Sequence, residues 1–143
     1  MIDTPRTCGG FVNDGTIDAG FLKAKVSGAP ATVWVSSLDG ADIPKSKRLL
    51  VTHVTDVQGE GAKYTDEAMT TTLRWGKCPV MRNGEVKVAV KIDDPSRYAV
   101  YELATTGRRM GAVETKERNG YLVFTASVAG ANGARMLYEI VSE

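Results

Sequence analysis

The chain has 143 residues, of which 43% are hydrophobic and 24% are charged, and its 18 basic and 17 acidic residues leave a net charge of +1. This composition is typical of one globular domain and argues against wholesale disorder. The longest basic tract, residues 45–48, is too short for a nucleic-acid surface, so we expect no nucleic-acid partner. No apolar stretch approaches the roughly 18 residues of a membrane span, and residues 1–7 lack the apolar core of an export signal.

Two cysteines, Cys8 and Cys78, permit one disulfide at most. Their spacing matches neither a metal-ligand motif nor a redox pair, and the sequence leaves open whether they are bridged. A lone cysteine is usually a small buried hydrophobe. We therefore expect no metal and no cofactor.

The first third of the chain alternates extended runs with turn signals. Residues 4–10 contain a proline and a glycine pair, which predict extended or turn segments before a short strand that begins at Phe11. Residues 17–26 are predicted as a single half-buried strand, with apolar side chains on one face and lysines on the other. Residues 31–38 are rich in β-branched and aromatic residues, and an Asp-Gly turn ends that strand.

Residues 46–57 form the least ambiguous strand, because both of its faces are apolar near the middle. Alternation places Leu49, Val51 and His53 on one side and Leu50, Thr52 and Val54 on the other. A strand with one face in water would alternate cleanly between apolar and polar residues. We therefore predict that this strand lies at the centre of a sheet, with its second face at least partly covered.

The middle of the chain contains the longest loop and the one ambiguous stretch. Residues 58–64 carry two glycines and charges of both signs, as either a binding loop or an ordinary connection would. Residues 66–73 combine a possible helix cap with a threonine run, and we predict a strand over residues 69–75. Residues 80–92 are predicted to form a hairpin, with an Asn-Gly turn between its two arms.

The last third of the chain repeats the same pattern. Residues 98–103, 121–128 and 134–141 are predicted strands, and short pieces occupy residues 108–117. Turn signals recur every 8 to 15 residues, and no helical periodicity is sustained. This spacing is typical of a sandwich or barrel, and we predict an all-β fold, an antiparallel two-sheet β-sandwich of about nine or ten strands. Residues 1–143 are predicted to be a single domain.

The sequence is poor in residues that catalyse reactions. His53 is the one histidine, and alternation places it on the opposite face of its strand from Asp56, so these two residues cannot form a dyad there. The ordinary interpretation of His53 is a histidine that is hydrogen-bonded inside or at the edge of the sheet. Adjacent carboxylates at residues 66–67 and 93–94 are typical of solvated turns. No nucleophile motif or phosphate-binding glycine loop is present.

Aromatic side chains offer a second route to function, because flat rings cover the C–H faces of sugars. Trp34 lies within a Val-Trp-Val run and is predicted to belong to the core. Trp75 stands at a strand end, Tyr64 lies in the glycine-rich loop and Tyr98 follows a turn. The candidate ligand-binding residues are Trp75, Tyr64 and His53.

Four segments of the chain carry a resemblance to a known family. They are Asp-Thr-Pro-Arg-Thr at 3–7 with Gly10 and Phe11, Trp-Val-Ser-Ser-Leu-Asp-Gly at 34–40, Arg-Leu-Leu-Val-Thr-His-Val-Thr-Asp-Val-Gln at 48–58, and Trp75-Gly76. These segments resemble the C-terminal β-sandwich region of large bacterial glycoside hydrolases. In such enzymes a (β/α)-barrel performs hydrolysis and an all-β domain packs beside it. The resemblance covers most of the chain in the same order, although its motifs are structural rather than catalytic.

This resemblance implies a domain from a larger polysaccharide-degrading enzyme that is periplasmic or secreted. Its partners would be the catalytic domain of the same parent chain and polysaccharide. No catalytic residue of the barrel can be placed on this sequence, so the leading hypothesis is a non-catalytic accessory domain. The alternative is a carbohydrate-binding module that uses Trp75 and Tyr64. A third hypothesis, an independent hydrolase, would rely on carboxylates such as Asp56, Glu60 and Asp66.

Overall fold

The computed structural model describes residues 1–131 and 133–143, and almost all of its regular structure is β-strand. Two single-turn 3₁₀ helices, Ile43–Lys45 and Pro95–Arg97, interrupt the strands. The strands are β1 (Ile2–Asp3), β2 (Thr7–Val12), β3 (Gly15–Ala19), β4 (Leu22–Ser27), β5 (Ala31–Ser37), β6 (Arg48–Val54), β7 (Val57–Gly59), β8 (Lys63–Tyr64), β9 (Thr72–Arg74), β10 (Pro79–Met81), β11 (Glu85–Lys91), β12 (Tyr98–Leu103), β13 (Arg109–Val113), β14 (Lys116–Arg118), β15 (Tyr121–Ser127) and β16 (Leu137–Ser142).

Two antiparallel sheets make up the body of the protein. A seven-stranded sheet has the order β1-β2-β5-β6-β16-β12-β13, and a five-stranded sheet has the order β14-β15-β11-β4-β3. The other four strands form two small ribbons, β7 with β10 and β8 with β9. The predicted all-β, antiparallel two-sheet sandwich is confirmed. The strands are shorter and more numerous than the nine or ten expected from the sequence.

The hydrophobic core lies between the two sheets and is built from the inward positions of their strands. In β11, the side chains of Val86, Val88 and Val90 are fully buried, while Lys87 between them is exposed. The same alternation in β4, β5 and β6 supplies the remaining walls, because successive side chains of a strand point to opposite faces. One continuous cluster of buried residues joins both sheets.

Strand β6 is the fourth of seven strands in its sheet, as its sequence predicts. Leu49, Val51 and His53 are buried against the other sheet. Leu50 and Thr52 on the opposite face are half-buried. The prediction of a central strand with a partly covered second face is therefore confirmed.

The N-terminal strands differ from the prediction at two places. The glycine pair at residues 9–10 lies inside β2 rather than before a strand. Gly9 allows β2 to approach the adjacent strand β5 closely, since a Cβ at this position would overlap the carbonyl oxygen of Val33. The run 17–26 is not one strand but parts of two, β3 and β4, which turn at Gly20 with a φ of 52°. Glycine adopts this left-handed conformation without a steric penalty.

The predicted hairpin over residues 80–92 is wrong. Strand β10 pairs with β7, whereas β11 pairs with β4 and β15. The Asn-Gly step instead connects a ribbon to the five-stranded sheet. Gly84 is needed there for space, since a Cβ would lie 3.2 Å from the side chains of both Ala29 and Thr55.

The strand predicted over residues 69–75 is reduced to β9, which has three residues. Asp66 closes a turn before it, because its two carboxylate oxygens accept hydrogen bonds from the backbone N–H (3.1 Å) and hydroxyl (2.6 Å) of Thr70. Met69 has a φ of 56°, which is incompatible with a strand. The local turn therefore overrides the β propensity of the threonine run.

An ion-pair cluster covers part of the outer face of the seven-stranded sheet. Glu139 faces away from the core, as alternation predicts, yet its side chain is only 3% exposed. Arg48 Nε and Arg109 Nε each donate a 2.6 Å hydrogen bond to one of its carboxylate oxygens. Burial acts to raise the pKa of Glu139, but the two guanidinium groups outweigh it and hold the pKa below its usual range.

The two cysteines are not bridged: Cys8 is buried in the core and Cys78 is exposed, and both thiols are free. Burial raises the pKa of the Cys8 thiol. Across residues 1–131 and 133–143, no helix has the length and apolar character needed to cross a membrane.

The inward positions give a direct stability prediction. Val51→Ala and Val88→Ala should each lower the free energy of unfolding by about 1 to 3 kcal/mol, because each removes buried methyl groups and leaves a cavity. Lys87→Ala is the matched control and should change it by less than about 0.5 kcal/mol. Urea unfolding monitored by circular dichroism measures all three. Wild-type stability in both valine variants would mean that the strand faces are assigned wrongly.

Candidate functional site

Residues 57–81 leave the two main sheets and form a separate lobe between β6 and β11. Within this 57–81 lobe, β7 pairs with β10 and β8 pairs with β9. The segments around Gly59 and Gly76 are in backbone contact, because a Cβ at Gly59 would lie 2.7 Å from the Cα of Gly76. Neither position can accept a larger residue without moving the other segment.

The base of the lobe is fixed to the body of the protein. The Thr55 hydroxyl donates a 2.6 Å hydrogen bond to the carbonyl of Arg82, and the Arg82 N–H donates one of 2.8 Å to the carbonyl of Asp56. The Arg82 guanidinium also lies 3.5 Å from the Asp56 carboxylate. These bonds join the two ends of the lobe where it leaves and rejoins the sandwich.

The lobe exposes an unusual amount of apolar surface. Of nine large hydrophobic side chains that are strongly exposed among the described residues, five belong to the lobe. Trp75 is 83% exposed and Leu73 is 67% exposed. Clustered exposed hydrophobic residues mark interaction surfaces more often than isolated ones do. The five are Val57, Met69, Leu73, Trp75 and Val80.

Beside Trp75 lies a shallow depression of about 450 Å³, lined by Glu60, Gly61, Arg74, Trp75 and Lys77. Arg74 Nη2 donates a 2.8 Å hydrogen bond to the carbonyl of Gly61, which holds its guanidinium along the wall. An exposed indole with a carboxylate and an ammonium nearby can cover an apolar face of a ligand and bond to its hydroxyl groups.

The other aromatic candidates do not join this depression. Tyr64 lies in the lobe, opposite Thr72 in the β8–β9 ribbon, but it is half-buried and does not line the depression. Tyr98 is half-buried and donates a 3.0 Å hydrogen bond to the carbonyl of Ser46. Trp34 was expected in the core, but the core positions of β5 belong to its neighbours, and Trp34 is half-buried on the outer face.

His53 does not join Trp75 and Tyr64. Its side chain is fully buried between the sheets, where no external ligand can reach it. Neither ring nitrogen has a hydrogen-bond partner in the described part of the chain, contrary to the expected hydrogen-bonded histidine. Burial lowers the pKa of His53, so the ring is neutral at physiological pH. The burial of His53 could have been expected from the sequence, because His53 shares the inward face of its strand with Val51 and Thr55.

Two carboxylates, Asp39 and Asp66, are held by hydrogen bonds within turns. Asp39 accepts hydrogen bonds from the Ser46 and Ser37 hydroxyls and from the Lys47 and Ala41 N–H groups, which hold its pKa well below its usual range. Asp66 is held by Thr70 in the same way, which also lowers its pKa. Among residues 1–131 and 133–143, no three His, Cys, Asp or Glu side chains converge as metal ligands would.

Of the candidate ligand-binding residues predicted from the sequence, Trp75 lines the depression, whereas Tyr64 and His53 do not. Arg74 and Lys77 lie next to Trp75 in the chain, so their place in the depression could have been expected from sequence distance alone. Glu60 reaches the same depression because its backbone forms hydrogen bonds with Lys77 and Cys78, next to the Gly59–Gly76 contact. Comparison with known proteins yields no match: no family model, curated protein or solved structure is similar to this chain.

Proposed function

We propose that this chain is a non-catalytic accessory β-sandwich of a periplasmic or secreted glycoside hydrolase, and that it docks on the catalytic barrel through the 57–81 lobe. The resemblance of four segments to such domains and the two-sheet fold support this assignment. The observation that carries the docking role is the set of exposed side chains on the lobe, above all Trp75 at 83% and Leu73 at 67%.

The composition of the exposed set favours a protein surface as the partner. Four of its five members are aliphatic or thioether side chains, which lack the flat ring that a sugar needs. Fully burying a side chain of this size against a partner contributes about 1.5 to 3 kcal/mol. Tryptophan is also among the residue types that contribute most to binding energy in protein interfaces.

The docking proposal is tested in the complete protein that contains this domain. Its reading frame should encode a (β/α)-barrel, and Trp75→Ala combined with Leu73→Ser should lower the melting temperature of that barrel by several degrees. Phe11→Ala is the matched control, because Phe11 is 63% exposed but lies outside the lobe, and it should leave the melting temperature unchanged. Equal melting temperatures in all three proteins, or a reading frame without a catalytic domain, would contradict docking.

A carbohydrate-binding module remains the second candidate, because the depression beside Trp75 also contains Glu60, Arg74 and Lys77. Affinity electrophoresis of the chain through neutral polysaccharides separates the two functions. Docking alone predicts no retardation. Retardation that disappears in Trp75→Ala and persists in Phe11→Ala would establish the second candidate instead. Turnover of aryl glycosides by the chain alone would contradict both non-catalytic functions.

A further inference from the structure

The outer face of the five-stranded sheet is strongly basic. Alternation along β4, β11 and β14 directs every second residue of these strands away from the core, and most of those residues are cationic. Asp18 and Glu85 are acidic residues at outward positions of the same sheet, and Glu114 lies at its edge beside Lys116. We call this surface the basic face, and its cations are Lys23, Lys25, Lys87, Lys91, Lys116 and Arg118.

The register of the strands sets these cations in rows across the sheet. Lys25 lies directly opposite Lys87, with Thr16 and Thr125 as the next neighbours on either side. In another row, Tyr121 lies between Lys91 and Arg118. Adjacent strands are about 4.8 Å apart, so the side chains of one row lie side by side.

Most of the charge on the basic face is not neutralised within the chain. Lys23 pairs with Asp18 at 2.9 Å and Lys116 with Glu114 at 3.3 Å. The other four cations have no carboxylate within 4.0 Å among residues 1–131 and 133–143; they are Lys25, Lys87, Lys91 and Arg118.

The pairing of Lys25 with Lys87 works against folding. Like charges directly opposite each other on neighbouring strands destabilise a sheet. Neither ammonium group has a carboxylate within 4.0 Å in the described part of the chain. An anionic ligand bound between the two ammonium groups would offset it.

A broad depression of about 420 Å³ lies in the same face. Ala89, Val123 and Tyr121 contribute apolar surface to it, and Lys23, Lys25, Lys87 and Arg118 surround them. Thr16 and Asn119 add neutral hydrogen-bonding groups to the rim. Ammonium groups recognise anions, hydroxyl and amide groups recognise hydroxyls, and a tyrosine ring covers a sugar face.

We propose that the basic face binds an anionic polysaccharide, one that carries carboxylate or sulfate groups along a chain of sugar rings. The choice of polysaccharide rests on the proposed function, while the anionic character rests on the unpaired cations. A nucleic acid is a poorer fit, because the net charge of the chain is only +1 and no cationic strand or helix projects from this face to enter a groove.

The site is independent of the 57–81 lobe, since none of the lobe residues line this depression. Binding at the basic face and docking by the lobe can therefore be tested separately. A polysaccharide bound at the basic face would leave Trp75 free to contact the catalytic domain.

Affinity electrophoresis of the intact chain through gels containing polygalacturonate or a sulfated galactan tests the proposal. We expect retardation at low salt that is lost at high salt, and Lys25→Gln with Lys87→Gln should weaken it about five- to tenfold. The charge-matched control, Lys45→Gln with Lys47→Gln, and Trp75→Ala should both be retarded like the wild type.

Three results would overturn the inference: no retardation in either anionic gel, equal loss in the charge-matched control, or tighter binding of a DNA duplex than of the polysaccharides at the same salt concentration. None of these results bears on docking by the lobe. Thermal unfolding of both double variants shows whether they are folded, and we expect the Lys25/Lys87 variant to be at least as stable as the wild type because a like-charge pair is removed.

Discussion

Tyr138→Ala should lower the free energy of unfolding by about 3 to 5 kcal/mol, as expected for the removal of a large buried aromatic side chain. Tyr138 is only 1% exposed and extends from β16 of the seven-stranded sheet into the core. Its ring centroid lies 5.8 Å from that of Phe124, which belongs to the five-stranded sheet. Loss of the ring would leave a cavity between the two sheets.

The hydroxyl of Tyr138 makes a separable contribution. It donates a 2.8 Å hydrogen bond to the carbonyl of Ser127 and accepts a 3.0 Å hydrogen bond from the N–H of the same residue. Burial raises the pKa of Tyr138 to about 12, so the proton that it donates is present at every physiological pH. These two bonds tie β16 to the end of β15 across the sandwich.

Tyr138→Phe is therefore the matched variant, because it keeps the ring and removes both hydrogen bonds. We expect it to cost about 1 to 3 kcal/mol, since two backbone groups of Ser127 lose their partner. Urea unfolding of the wild type and both variants separates packing from hydrogen bonding. A Phe variant as stable as the wild type would show that the two bonds do not hold the sheets together.

His53→Leu should raise the free energy of unfolding by about 1 to 3 kcal/mol at pH 7.5. The two ring nitrogens of His53 are buried without a partner in the described residues, and an unsatisfied buried polar group costs about this much. Leucine has a similar volume and removes the polar atoms. A loss of stability in this variant would mean that the imidazole is hydrogen-bonded in solution.

The advantage of His53→Leu should grow as the pH falls. Burial lowers the pKa of His53 in the folded protein below its usual value of 6.5, so between these two pKa values the unfolded chain binds more protons than the folded one. Ionisation of His53 therefore leaves the stability of the wild type unchanged above about pH 6.5. Between the two pKa values it lowers the free energy of unfolding by up to about 1.4 kcal/mol per pH unit. Leucine does not titrate, so the His53→Leu variant does not lose stability at this position when the pH falls.

Urea unfolding at pH 7.5 and pH 5.0 measures the effect, and the difference between the two proteins isolates His53 because their other titrating groups are the same. We expect the stability difference between variant and wild type to be larger at the lower pH. An unchanged difference would show that His53 ionises equally well in the folded and unfolded states.

The part of the fold that could be predicted is the part that depends on the alternation of apolar and polar residues within single strands. The faces of β4, β6 and β11 follow directly from the sequence, because side chains two residues apart share a face and the core requires one apolar face. Pairing was harder to predict. The Asn-Gly step at 83–84 is a strong hairpin signal, but β10 pairs with β7, whose residues lie 20 to 24 positions earlier in the chain than their partners.

Glycine explains the two failures in the N-terminal strands, because one residue type serves two physical needs. Gly9 permits close approach of two strands, whereas Gly20 permits a positive φ, and the sequence around each does not distinguish these uses. The same limit applies to the candidate site. Trp75 could be identified from its position at a strand end, but the approach of Glu60 depends on the nonlocal contact between Gly59 and Gly76.

The proposed docking makes the exposed hydrophobic residues of the 57–81 lobe an interface with a catalytic domain. Hydrogen exchange of the lobe amides, measured in the chain alone and in the complete protein that contains it, tests this claim most directly. Docking requires rapid exchange in the chain alone and strong protection in the complete protein, with the largest change around Leu73 and Trp75. Identical exchange in the two proteins would contradict the interface.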